Sequence, residues 1–289
     1  MKKVVTRIKG GLGNQMFIYA AARAISLKNG FELVLDIKNG YTNDIFKRTY
    51  LLNHFNLPFS EANRLSSFNF PGGDKFRGLS KRIQWILGSW IKYIAEDESH
   101  SLNKELIAAS TTSLYIDGYW QSEIYFKDYS DIIRSDFKFP QFDDAITLRE
   151  ASDIENCNGT PISIGIRRYQ EVPAGSNIIK ITDYSFYEKA IKYIQKNVPD
   201  PVFFIFSEDH DWVNKYLPND INKKIIERKI GDEKALNDMY LMSLCKHHII
   251  SNSSFYWWGA WLANNKNKIV VASDCFLNPL SIPDNWIKF

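Results

Sequence analysis

The chain has 289 residues, a 45% apolar share, a 24% charged share and a formal net charge of +3, which suits one large α/β domain or two of ordinary size. This excludes a disordered chain, and a small basic excess spread without blocks does not favour a nucleic-acid partner. Cys157, Cys245 and Cys275 are odd in number, far apart and without metal-ligand spacing, so a reducing compartment is expected.

Met1-Lys2-Lys3 leads straight into Val4-Val5-Thr6-Arg7-Ile8, with no secretory h-region, and no run approaches the roughly 18 to 20 apolar residues of a membrane span. A cytoplasmic protein is expected. Residues 3–9 predict a strand, Gly10 to Gln15 a glycine-rich turn, Met16 to Leu27 a helix stopped by Gly30, and Phe31 to Ile37 a second strand. This is a βαβ unit. Gly11 and Gly13 let the backbone bring N–H groups and a helix N-terminus close to a ligand, typically an anion. Gly11-x-Gly13 followed by Asp36 imitates a dinucleotide fingerprint, but Met16 stands at the third glycine position and is too bulky for it. Asn14 and Gln15 place two amides at the mouth of the turn, where a sugar or phosphate would use them.

From about 40 to 150 the pattern is less regular. Ile83, Ile86, Leu87, Trp90, Ile91 and Ile94 recur at helical spacing and predict one apolar helix face. Lys75, Arg77, Lys81, Arg82 and Lys92 lie nearby, so peripheral membrane contact is conceivable, although a core-facing helix with a basic edge is the favoured reading. Leu114 to Asp117 predict a strand ending in Gly118-Tyr119-Trp120-Gln121-Ser122-Glu123. Trp120 could floor a sugar site with Gln121 or Glu123 beside it, or pack on the neighbouring helix.

After Pro161, strands and helices alternate cleanly, as in a parallel sheet covered by helices. Ile162, Ile164 and Ile166 share one face of a half-buried strand ending in Arg167-Arg168, two permanent cations at the edge where open α/β sheets bind ligands. A later strand ends in Ser207-Glu208-Asp209-His210-Asp211; Asp209-x-Asp211 imitates a divalent-metal motif, and Asp211 could equally cap the next helix. Ser251-Asn252-Ser253-Ser254-Phe255 opens an apolar helix and can serve as a cap or a phosphate seat. His247 and His248 point to opposite faces of a strand, so they cannot chelate one ion together.

Three stretches, Gly10-Gly11-Leu12-Gly13-Asn14-Gln15-Met16-Phe17, Ile164-Gly165-Ile166-Arg167-Arg168 and Tyr240 to Ala260, together closely resemble the bacterial α-1,2-fucosyltransferases of glycosyltransferase family 11. Gly118 to Glu123 and Phe206 to Asp209 agree, and the likeness runs to roughly residue 275. The resemblance implies an α/β protein of GT-B type, two Rossmann-like domains facing a donor/acceptor cleft, with residues 1–155 on the acceptor side and 156–289 on the nucleotide-sugar donor side. The implied reaction moves L-fucose from GDP-fucose to a galactoside hydroxyl with inversion, in an α-1,2 linkage, with no required cofactor or metal. The acceptor would be an oligosaccharide or lipid-linked glycan of a bacterial surface polysaccharide, assembled at the inner face of the membrane.

By position, the resemblance places Arg167 on the donor's diphosphate with Arg168 beside it. It places Asn14, with Gly11 and Gly13, near the donor, and Ser253, Ser254 and Phe255 on the phosphate side. Glu208 or Asp209 matches the acid near the nucleoside. Glu171 and Glu123 are the candidate general bases, and Trp120 and Gln121 are candidates for the acceptor. The family pattern His-x-Arg-Arg-x-Asp reads Gly165-Ile166-Arg167-Arg168-Tyr169-Gln170 here, with Glu171 one place beyond the missing acid. A different GDP-deoxysugar donor, a metal-dependent transferase built on Asp209 and Asp211, and a non-catalytic carbohydrate-binding protein stay open.

Overall fold

The computed structural model describes residues 1–41, 44, 46–63, 91–97, 101–168, 181–227 and 233–289. The chain forms two compact units, Met1–Lys138 and Phe139–Phe289. The sequence had placed the boundary near 155. Helix Ala145–Glu155 falls in the second unit because Asn237, on helix Glu233–Leu244, donates to Asp144 Oδ2 at 3.0 Å and Thr147 Oγ1 at 2.9 Å.

In the first unit, strands β1 (Lys3–Arg7), β2 (Glu32–Asp36), β3 (Ser60–Glu61), β4 (Ile91–Ala95) and β5 (Ser113–Asp117) form a parallel sheet of order β3-β2-β1-β5-β4. Helix α1 (Leu12–Asn29) crosses from β1 to β2 and ends at Gly30, whose φ of 63° is the left-handed cap that glycine adopts without a Cβ penalty. Short α2 (Lys104–Ile107) and α3 (Ser130–Asp136) follow. Tyr19 and Arg23 of α1 both donate to Asp136 Oδ2, at 2.7 and 3.0 Å, tying α1 to the end of α3.

The predicted helix face is corrected at its end. Ile91 and Ile94 lie on β4, paired in parallel with β5, and Tyr93 stacks on Tyr115 with ring centroids 5.3 Å apart. Short apolar runs fit strand and helix alike, and pairing with the buried β5 decides. Residues 83–90 and Lys75, Arg77, Lys81 and Arg82 lie outside the described residues. No helix among the described residues is long and apolar enough to cross a membrane.

The second unit carries β6 (Thr160–Ile166), β7 (Pro201–Ser207), β8 (Lys223–Ile225), β9 (His247–Ile250), β10 (Val270–Ala272) and β11 (Ile287–Lys288), all parallel, in the order β11-β10-β9-β6-β7-β8. The chain winds outward one way from β6 to β8 and the other way from β9 to β11. This is the Rossmann order, with a topological switch point between β6 and β9. The helices are α4 (Ala145–Glu155), α5 (Tyr184–Asn197), α6 (His210–Tyr216), α7 (Glu233–Leu244) and α8 (Ser254–Leu262).

Strand β6 is buried on both faces rather than half-buried. Ile162, Ile164 and Ile166 pack with Phe186, Tyr187, Ala190 and Ile191 of α5. On the other face the Ser163 hydroxyl lies 2.7 Å from His248 Nδ1, and Gly165 lies against the Tyr256 ring. Small and polar residues there mark close contact, not solvent.

Much of the tryptophan content is core. Trp257 and Trp258 are fully buried, and Trp257 lies within 5.0 to 6.0 Å of Trp258, Trp261 and Trp286 by ring centroid. Gly259 permits the close approach of α7, since a Cβ there would meet Met242 Cβ at 2.9 Å. Lys268 Nζ donates to the carbonyls of Ala260, Trp261 and Ala263 at 2.7, 2.9 and 2.9 Å, closing the C-terminus of α8 with a cation.

Candidate functional site

In the second unit the predicted donor residues gather at the C-terminal edge of the sheet. Register sets Ile166, the last residue of β6, beside Ser207 of β7 and Gly165 beside Ile250 of β9. Arg167 therefore leaves the sheet at the switch point, and its backbone N–H donates to Ser251 Oγ at 3.1 Å. Its guanidinium is ion-paired with Glu208, just past β7, with side chains 22% and 37% exposed. A guanidinium held at this edge can meet a diphosphate with paired N–H donors, provided the ligand displaces the carboxylate.

Arg168 is held differently. It donates to the Thr182 carbonyl at 3.0 Å and lies 4.7 Å from the ring centroid of Trp212 on α6. The Thr182 hydroxyl donates to Asn252 Oδ1 at 3.0 Å and lies 3.0 Å from Ser273 Oγ. Arg168 thus ties β6 to a buried polar chain at the ends of β9 and β10.

Ser253 is the N-cap of α8 and makes no side-chain cap bond; Ser254 and Phe255, half-buried, open the helix beside Ser251. Asp209, not Asp211, caps α6, accepting from Trp212 N–H at 2.9 Å, so Glu208 and Asp209 have different partners. Among the described residues no three or more His, Cys, Asp or Glu side chains come together in a way that could hold a metal ion. Glu171 and the 169–170 stretch lie outside the described residues.

His247 and His248 are structural, as expected. His247 Nδ1 accepts from Ile269 N–H at 2.8 Å, and His248 sits fully buried against Ser163. Burial, with Lys268 and His247 adding, holds His248 well below its ordinary range.

The first unit has its own switch point, between β1 and β5. Gln121 Nε2 donates to Asn14 Oδ1 at 2.7 Å, joining the first turn of α1 to the turn after β5. Gly11, the N-cap of α1, has nothing within 4 Å of where a Cβ would stand, so there is open space beside the N-cap, although Leu12 and Gly13 behind it are buried. Gln15 is corrected to a structural role. It is fully buried, donates to the Gly10 and Thr49 carbonyls at 2.9 and 2.8 Å, and accepts from Leu51 N–H at 2.8 Å.

Trp120 is also corrected. It is fully buried with its ring edge-on to Tyr125, so it cannot floor a sugar site. Its φ of 52° is held by Glu96, whose carboxylate accepts the N–H groups of Tyr119 at 2.6 Å and Trp120 at 3.2 Å. Glu123 opens a 3₁₀ turn, half-buried, capped by Ser122. Asp36 spends its carboxylate on Lys38 and Asn39, which removes the acid that a dinucleotide ribose would need.

Glu96 and Asp117 were not read from the sequence. Burial pushes Asp117 upward, but the Lys9 and Arg7 charges and the Lys9 and Tyr93 hydrogen bonds hold it well below the usual carboxylate range. Lys9 Nζ is 3.0 Å and Arg7 3.2 Å from Asp117 Oδ1. Ser251 and Tyr256 were read only as parts of a motif, since their contacts to β6 span more than 80 positions.

The family model "Glycosyl transferase family 11" matches residues 3–278. The chain is 29% identical to an α-1,2-colitosyltransferase of Escherichia coli over 100% of this chain and 99% of that one. It is 30% identical to the O-antigen biosynthesis glycosyltransferase WbnK of Escherichia coli over 92% of each. Among solved structures, Arabidopsis thaliana FUT1, a point mutant in complex with GDP, matches with a TM-score of 0.53 at 14% identity over 93% of this chain and 70% of its own. NodZ α-1,6-fucosyltransferase of Bradyrhizobium, soaked with GDP-fucose, matches with a TM-score of 0.50 at 17% identity over 90% and 92%. The fold is of GT-B type, and the chain is a glycosyltransferase that belongs to glycosyl transferase family 11.

Proposed function

We propose that the chain transfers L-fucose from GDP-fucose to a hydroxyl of a galactoside-type acceptor, with inversion and in an α-1,2 linkage, during synthesis of a bacterial surface glycan. The observation that carries the reading is Arg167, a cation at the β6/β9 switch point whose backbone is fixed by Ser251. In the reaction the acceptor oxygen attacks the anomeric carbon as the bond to the diphosphate breaks. The hydroxyl proton passes to a base, and GDP leaves with its negative charge.

Charge gathers on the leaving diphosphate while the sugar becomes oxocarbenium-like. A pre-aimed guanidinium lowers that barrier, and losing one such donor commonly costs about a hundredfold to a thousandfold in rate. The N-terminal turn of α8 adds N–H groups and a favourable dipole on the same edge. No cofactor or metal takes part in this scheme. Arg168 supports the strand end, Glu123 and Glu171 are the candidate bases, Asn14 is the candidate amide for the donor, and Gln121, bonded to it, is the candidate for the acceptor. The protein works at the cytoplasmic face of the membrane.

A second reading, transfer of a different GDP-linked deoxysugar, is favoured by the relative named as a colitosyltransferase and by Gly165 standing where the family carries histidine. A panel of GDP- and UDP-sugars, scored for nucleotide release and for product on galactosides, tests both. The first reading expects GDP-fucose to be turned over fastest. Faster release from another GDP-deoxysugar would favour the second, and turnover of UDP-sugars alone would remove both.

A further inference from the structure

Tyr256 lies buried in the first turn of α8, and burial raises its phenol well above the ordinary range, so it stays a proton donor. Its hydroxyl lies 3.1 Å from the Ile166 carbonyl oxygen, at the end of β6, and 3.1 Å from that of Phe206, on β7. One phenolic proton serves two acceptors, so the hydroxyl bridges the two strand ends. The Ile166 carbonyl belongs to the same peptide unit as the Arg167 N–H, and that N–H donates to Ser251 Oγ at 3.1 Å. A planar peptide held at its oxygen and at its N–H cannot turn without breaking one of the two bonds. Arg167 leaves the sheet from this unit.

The ring that delivers the hydroxyl lies directly on Gly165. A Cβ at 165 would meet Tyr256 Cγ at 2.4 Å and Cδ1 and Cδ2 at 2.7 Å, closer than carbon atoms approach. The glycine and the tyrosine are therefore one fitted pair, and the volume above residue 165 is filled by a side chain from α8.

We propose that Tyr256 is the positioning residue of the Arg167 clamp, its hydroxyl fixing the Ile166–Arg167 peptide so that the guanidinium is aimed at a nucleoside diphosphate, with Gly165 as the notch that admits its ring. This rests on the transferase reading above. Stabilising charge as it develops requires that the donor be aimed before reaction, and small misplacements are costly in rate.

The test uses the full chain as wild type, Tyr256→Phe, Gly165→Ala and the double variant Gly165→Ala/Tyr256→Ala, with the GDP-sugar of the panel that the wild type turns over fastest. Tyr256→Phe keeps the ring and loses only the bridge. Its kcat is expected to fall about tenfold to a hundredfold, with a smaller change in donor KM and a melting temperature near that of the wild type. Gly165→Ala is expected to melt earlier, and the double variant to regain melting temperature but not kcat. Wild-type kcat in Tyr256→Phe, or a rate loss matched by loss of folded protein, would overturn the assignment while leaving the transferase reading intact. If the wild type releases GDP from no GDP-sugar, the transferase reading falls and the assignment with it.

Discussion

Glu208, just past the end of β7, is ion-paired with Arg167, just past the end of β6, so the guanidinium proposed to meet the donor's diphosphate is already occupied by a carboxylate. An incoming diphosphate must take the place of that carboxylate. Partly exposed pairs of this kind are worth about 1 kcal/mol or less. Glu208→Gln should therefore tighten GDP binding modestly, by up to about fivefold, as read by calorimetric titration. Weaker binding in this variant would place Glu208 on the nucleotide instead.

A metal has no role in this account, and the carboxylate pair that imitates a metal motif is divided, Asp209 being the cap of α6. Turnover in excess chelator should equal turnover without it. A loss of activity restored by a divalent cation would revive the metal-dependent reading.

Lys268 stabilises the helix that opens at Ser254. Three carbonyls at the end of α8 share its ammonium, and removing it leaves them without that donor. Lys268→Met should destabilise the fold by about 1 to 3 kcal/mol, measured by denaturant unfolding of the full chain. An unchanged midpoint would mean that the cap contributes nothing.

How much of this was legible in the sequence depends on the range of the contact involved. The βαβ start, the strand ending in Arg167-Arg168 and the alternation after Pro161 follow local periodicity and stand, except that α1 begins at Leu12 within the predicted turn and β6 is buried on both faces. Gln15, in the first turn of α1, and Trp120, just past β5, follow strand ends, where polar and aromatic residues often meet ligands. Only contacts with Thr49 and Leu51, and with Tyr125, show that both are internal. Gly165 read as a lost histidine; its reason lies 91 positions away, in the ring of Tyr256. Asp211 was open as the cap of the next helix; because α6 begins at His210, Asp209 holds that place instead.

Acid should weaken the fold through His248. Its folded pKa is depressed below the ordinary 6.5, so below that value the unfolded chain takes up the proton first. The contribution is complete above about pH 6.5 and declines as the pH falls below it. Glu150, pushed up mainly by burial, acts with the opposite sign, so the comparison must be between wild type and His248→Gln. The drop in melting temperature from about pH 7.5 to about pH 5.5 should be smaller in the variant. Equal drops would show that His248 does not carry the effect.

The clamp itself is tested most directly by Arg167→Ala, assayed for transfer alongside its melting temperature. The account predicts a loss of about a hundredfold to a thousandfold in kcat in a protein that melts close to the wild type. Transfer within a few-fold of wild type by a folded Arg167→Ala protein would contradict it.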